Sequence, residues 1–105
     1  MRDYLEAVGY AVDCAPSSDG ALSLLAAEQY VVLIADLRLS PRQPGDGLDL
    51  LAHARSRYPG IRTVLLTAHS SLETEREVQR LGVDRLLHKP QEMSAIREIV
   101  DDLAS

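Results

Sequence analysis

Three residues of different chemical type stand directly after strand-like runs: Asp36 after Val-Val-Leu-Ile-Ala, Thr67 after Val-Leu-Leu, and Lys89 after Leu-Leu-His. Such a set is more than loop composition requires. It sets an acid, a hydroxyl and a base at the ends of strands, where open parallel α/β sheets collect ligands. Strand ends are also where polar residues ordinarily begin, so each position alone says little; the three types together say more. Lys89 carries a further hint. The chain has ten arginines and a single lysine, which suggests that this position favours a slender ammonium over a planar guanidinium.

Other constellations do not hold together. Gly45-Asp46-Gly47 opens like a dinucleotide fingerprint, but Leu50 stands where the third glycine belongs. There is no P-loop lysine and no nucleophile elbow. His53, His69, His88 and Cys14 are scattered, without metal-ligand spacing. Glu73, Arg76, Glu77 and Arg80 fit i,i+3 pairs on a solvated helix face. Asp101 and Asp102 read as the exposed end of the last helix, and Cys14 as a small buried residue of a strand.

The elements that must position the three residues alternate along the chain. Arg2–Val8 has helical spacing, closed by Gly9. Tyr10–Ala15 reads as a short strand stopped by Pro16. Ser17 or Ser18 caps a helix through Ala27, and Val31–Ala35 is apolar on both faces, as a central parallel strand should be. Leu37–Asp46, with Pro41 and Pro44, reads as a loop, and Gly47–Arg57 as a helix. Thr63–Thr67 is a strand, Ser70 or Ser71 caps a helix to Leu81, Arg85–His88 is a strand, and Met93–Leu103 is a helix with a clean apolar stripe. The helix ending at Leu81 has only a thin stripe (Leu72, Val78, Leu81), so most of it should face water or a partner. Strands alternating with helices imply right-handed βαβ units, a parallel sheet, and ligands at the carboxyl ends of its strands.

Length and composition bound the rest. With 105 residues, 46% hydrophobic and 26% charged, the chain buries one core, and residues 1–105 are expected to form a single domain. Trp and Phe are absent, so the core must be aliphatic. A net charge of −5 argues against nucleic-acid or anionic-membrane binding driven by bulk charge. The longest apolar run, Tyr30–Ala35, falls far short of the roughly 20 residues of a membrane helix. The start has no apolar signal-peptide core, and the lone Cys14 cannot form an internal disulfide. The expected setting is soluble and cytoplasmic.

With these residues in hand, the chain resembles the receiver domain of bacterial two-component response regulators. The stretches that carry the resemblance are YLEAVGYAVDCA, YVVLIADLRLSP with GDGLDLL, YPGIRTVLLTAHS and LGVDRLLHKP. It implies an α/β, flavodoxin-like three-layer sandwich. Asp36 then matches the phosphoacceptor, Thr67 the hydroxyl that hydrogen-bonds the phosphoryl group, and Lys89 the cation that pairs with it. Ala68 matches the small residue that leaves the phosphoryl room, and the main-chain carbonyl of Arg38 a magnesium ligand beside Asp36. A cis Lys89-Pro90 bond is implied too. The resemblance further implies a histidine kinase or phosphotransfer protein as partner, and a signal passed through helix 71–81 and strand 85–88. A conformational switch of this kind is not enzymatic.

The chain departs from the family in several places. It matches from within the first helix, so the first strand and the acidic pair after it have no counterpart. The family's Mg2+ is therefore expected to bind weakly. Leu86 replaces a usually aromatic switch residue, His88 stands where an aliphatic residue is common, and the loop from Leu37 to Asp46 is about three residues longer than usual. The missing strand would lie between Tyr10–Ala15 and Val31–Asp36. Direct pairing of those two segments, giving four parallel strands, is the expected repair; a strand or helix from a second copy in a homodimer, or a loose N-terminal segment, are the alternatives. Two further function classes stand beside the phosphoacceptor reading. One is a degenerate receiver that serves as a phosphorylation-independent interaction or dimerisation module. The other is a small flavodoxin-like enzyme or nucleotide binder, which lacks the glycine-rich loop it would need.

Overall fold

Three apolar runs pair as parallel strands, and helices supply the layers that cover them. A computed structural model describes residues 2–15, 17–36, 46–68, 71–89 and 91–105. In chain order the elements are α1 (Arg2–Ala7), α2 (Ser18–Ala27), β1 (Val32–Asp36), α3 (Asp46–Arg57), β2 (Arg62–Thr67), α4 (Leu72–Leu81), β3 (Arg85–His88) and α5 (Met93–Ala104). The sheet order is β1-β2-β3. Register runs from Val32 opposite Arg62 to Asp36 opposite Leu66, and from Val64 opposite Arg85 to Thr67 opposite His88. The parallel α/β architecture matches the sequence reading.

Helix ends follow local chemistry. The Ser17 hydroxyl accepts the Gly20 N–H at 3.1 Å, and the Ser71 hydroxyl accepts the Thr74 N–H at 3.2 Å, each satisfying a donor that has no intrahelical partner. Gly82 ends α4 at φ 74°, a left-handed conformation that L side chains resist. The core on one face of the sheet joins Ala21 and Leu25 of α2, Leu50, Leu51 and Ala54 of α3, and Val78 of α4 to Ala35, Ile61 and Leu65. Val64 and Leu66, of opposite pleat, are buried outside that cluster. On α5 the buried stripe is Ile96, Val100 and Leu103, and this helix lies against β1. Only Val78 of α4 is buried, while Leu72 is 61% exposed, in keeping with its thin stripe.

One element differs from expectation. Tyr10–Ala15 forms no strand, and the sheet holds three strands among the described residues instead of four. Direct pairing with β1 does not occur. A preference for extended backbone makes a strand only beside a partner backbone, and this segment is tied elsewhere: the Tyr10 phenol donates to Asp101 on α5, and the Tyr30 phenol donates to Asp13 at 2.5 Å. These ties fix the segment to α5 and to the approach to β1, and a groove of about 500 Å³ lies between the segment and β1. Cys14, expected to be buried on a strand, is accordingly exposed. No helix among the described residues is long and apolar enough to cross a membrane.

Candidate functional site

The strand register brings the three chemically distinct residues to one rim. Asp36 ends β1 opposite Leu66, so Thr67 lies one step further along β2. Thr67 in turn stands opposite His88, and Lys89 is the next residue. The Lys89 main-chain N–H donates to the Thr67 carbonyl at 2.7 Å, which carries the sheet's bonding pattern one residue past β3. Asp36, Thr67 and Lys89 thus stand at the carboxyl ends of three adjacent strands, where open α/β sheets place ligands.

Their side chains differ in exposure. The Lys89 Nζ donates to Asp36 Oδ2 in an ion pair, with the side chains 41% and 36% exposed. A pair this open to water adds little to stability; its consequence is positional, an ammonium held against a carboxylate that solvent can reach. Thr67 is only 2% exposed, whereas Ala68, directly after it, is exposed and puts no bulk at the rim. The expected salt-bridge approach of Lys89 to Asp36 is therefore present. Two other expectations, the Arg38 carbonyl and the cis bond at Pro90, lie outside the described residues.

A divalent ion finds a thin donor set here. Mg2+ takes six oxygens in near-octahedral geometry. Among the described residues no group of three or more His, Cys, Asp or Glu could hold a metal, and Asp36 Oδ2 is engaged by Lys89. The described residues do not by themselves fit a magnesium site.

Several other charged positions make ion pairs or hydrogen bonds outside this rim. Arg80 donates to Glu77 at 2.6 Å, and the guanidinium holds that carboxyl below its ordinary range, so this i,i+3 pair forms as expected. Asp101 and Asp102 are exposed, but each has partners: Tyr10 and Arg97 for the first, Arg85 at 2.7 Å for the second. The Tyr10–Asp101 and Tyr30–Asp13 ties escaped the sequence reading. Their partners are 91 and 17 positions apart, and no local period marks them. Hydrogen bonding to Asp13 pushes the Tyr30 phenol up to about 12, and Asp101 raises Tyr10 in the same way.

Comparison with known proteins gives the family and the fold. The family described as response regulator receiver domain matches residues 1–101. The transcriptional regulatory protein GlrR of Escherichia coli is 33% identical over 98 residues, covering 93% of this chain and 21% of its own length. The alginate biosynthesis transcriptional regulatory protein AlgB of Pseudomonas aeruginosa is 37% identical over 90 residues, covering 86% of this chain and 19% of its own. The chain thus spans about a fifth of the length of these relatives. Among solved structures, a response regulator protein from Burkholderia pseudomallei with a phosphorylated aspartic acid, calcium ion and citrate is similar at TM-score 0.81 and 31% identity, covering 98% of this chain and 64% of that one. The receiver domain of NtrX from Brucella abortus has the same fold at TM-score 0.86 and 21% identity, covering 98% of this chain and 85% of that one.

Proposed function

The chain belongs to the response regulator receiver domain family, and from that premise we propose that it accepts a phosphoryl group on Asp36 from the phosphohistidine of a histidine kinase or phosphotransfer protein. The observation that carries this reading is the Lys89–Asp36 ion pair at the sheet's carboxyl rim. A carboxylate oxygen of Asp36 attacks phosphorus as the donor's P–N bond breaks. The bond's electron pair stays on the departing imidazole, and an acyl phosphate forms on Asp36. The Lys89 ammonium shifts from the carboxylate to the phosphoryl oxygens, where negative charge is spread in the transition state. Exposed Ala68 leaves room for the group, and the Thr67 hydroxyl turns to donate a hydrogen bond to it. In the family a magnesium ion supplies further positive charge.

The signal then leaves through α4 and β3, the elements that follow Thr67 and precede Lys89. The relatives GlrR and AlgB are transcriptional regulatory proteins, and the output we propose is control of transcription by a longer assembly that includes this chain. The bulk charge of −5 leaves DNA contact to other parts of that assembly. Incubation with a phosphorylated histidine donor tests the reading. The chain should take up one phosphoryl group and Asp36→Asn none, while equal uptake by both would end the proposal.

A further inference from the structure

We infer that Gln91 is a positioning residue for Lys89: its side-chain amide locks the peptide group from which the lysine side chain springs. For its effect on rate, this role rests on the reading of Asp36 as phosphoacceptor. A single peptide group joins His88 to Lys89, and it is bonded at both ends. Its N–H, on Lys89, donates to the Thr67 carbonyl at 2.7 Å. In a trans peptide the carbonyl points the opposite way, so the His88 oxygen faces away from β2. Among the described residues β3 ends the sheet on that side, and the oxygen meets no neighbouring strand. The Gln91 Nε2 donates to it at 2.9 Å. A carbonyl only accepts, so the amide nitrogen of Gln91, not its oxygen, must face it.

The surroundings give this bond its weight. Gln91 reaches back past Lys89 and Pro90 from the approach to α5, a helix that Ile96, Val100 and Leu103 anchor in the core. Glu92 holds the N-cap position of α5 without a side-chain hydrogen bond. Among the described residues, the turn between β3 and α5 is therefore tied back to β3 by the Gln91 side chain. Hydrogen bonds in series polarise one another, so the Gln91 bond to the His88 carbonyl also strengthens the Lys89 N–H bond to Thr67. The orientation of this peptide group matters because Lys89 carries its charge at the end of a long, flexible stem. Its side chain is 41% exposed, so packing does not confine it, and the ammonium reaches Asp36 from wherever the backbone aims it. A misplacement of about 1 Å at a reacting centre costs as much as about 10²-fold in rate.

Because the chain has a single lysine, labelling with 15N-lysine gives one amide and one ammonium signal, both from Lys89. The test variant is Gln91→Met, which keeps a side chain of similar length and removes the donor. Its unfolding in urea should stay cooperative, since Gln91 is exposed, so that two folded chains are compared. The Lys89 amide should exchange about threefold to tenfold faster in the variant, the range that loss of one neutral hydrogen bond spans. The ammonium should lose order in 15N relaxation, and phosphoryl uptake from a phosphorylated histidine donor should slow by a similar factor. A brace of the turn alone would quicken the amide yet leave the ammonium as ordered as in the wild type, and that result would overturn the inference. So would an unchanged Lys89 amide, or equal uptake by the two chains. Absence of uptake by the wild type is a different failure: it ends the reading of Asp36 as acceptor, while the amide and ammonium signals still decide whether Gln91 positions Lys89.

Discussion

Lys89 donates its main-chain N–H to the Thr67 carbonyl at 2.7 Å, and this bond aims the lysine side chain at Asp36. The residue lies just beyond β3, where the sheet would otherwise release the chain. Tied to the last residue of β2, it starts from a fixed point two strands away from the carboxylate that its ammonium meets.

A first prediction follows for Lys89. Lys89→Ala should slow phosphoryl uptake by about 10²-fold, the usual cost of removing one preorganised electrostatic donor. Lys89→Arg should recover only part of that rate, because a planar guanidinium replaces a compact ammonium on the same anchored backbone. Initial rates of phosphate incorporation check both. A wild-type rate in Lys89→Ala would remove the residue from the chemistry.

Magnesium should bind the chain weakly. With Asp36 paired to Lys89 and no cluster of metal-ligating residues among the described positions, calorimetric titration is expected to give no saturation below millimolar magnesium. A chelator should leave the thermal midpoint unchanged. A micromolar isotherm would show that donors outside the described residues complete the site.

At the opposite end of β2, the Asp84 carboxylate accepts the Thr63 N–H at 2.8 Å and the Thr63 hydroxyl at 3.2 Å. Thr63 is 0% exposed, so Asp84→Ala strands a buried donor and should cost about 1–3 kcal/mol. Asp84→Asn, which keeps an acceptor oxygen, should cost less. Urea unfolding reads the result as a lower midpoint at unchanged slope.

What was legible in the sequence divides along a physical line. The apolar runs at Val31–Ala35 and Thr63–Thr67 announce strands because each is apolar on both faces, although only the second is buried along its length. Asp36, Thr67 and Lys89 announce a site because each ends such a run. Tyr10–Ala15 misled because composition reports a preference for extended backbone, not the partner strand needed to make it a ladder. The contacts it makes instead, Tyr10 with Asp101 and Asp13 with Tyr30, are created by the fold. Cys14 followed the same error, since its burial was inferred from a strand that does not form.

The Tyr30–Asp13 tie has a pH signature. The folded chain raises the phenol from its ordinary 10.0 to about 12, so folding favours its protonated form. The stabilisation is complete below pH 10 and is lost as pH climbs from 10 to 12. Titration of phenolate absorbance should show a late step that Tyr30→Phe and Asp13→Asn both remove. The alkaline decline in stability should be shallower in either variant. Ionisation of every tyrosine together near 10 would contradict the tie.

Borohydride trapping reads out directly where the phosphoryl group goes. An aspartyl phosphate is reduced to homoserine, so peptide mapping of the phosphorylated and reduced chain identifies the acceptor. The prediction is homoserine at position 36 and at no other acid. Homoserine elsewhere, or stable incorporation of phosphate with Asp36 intact, would contradict it.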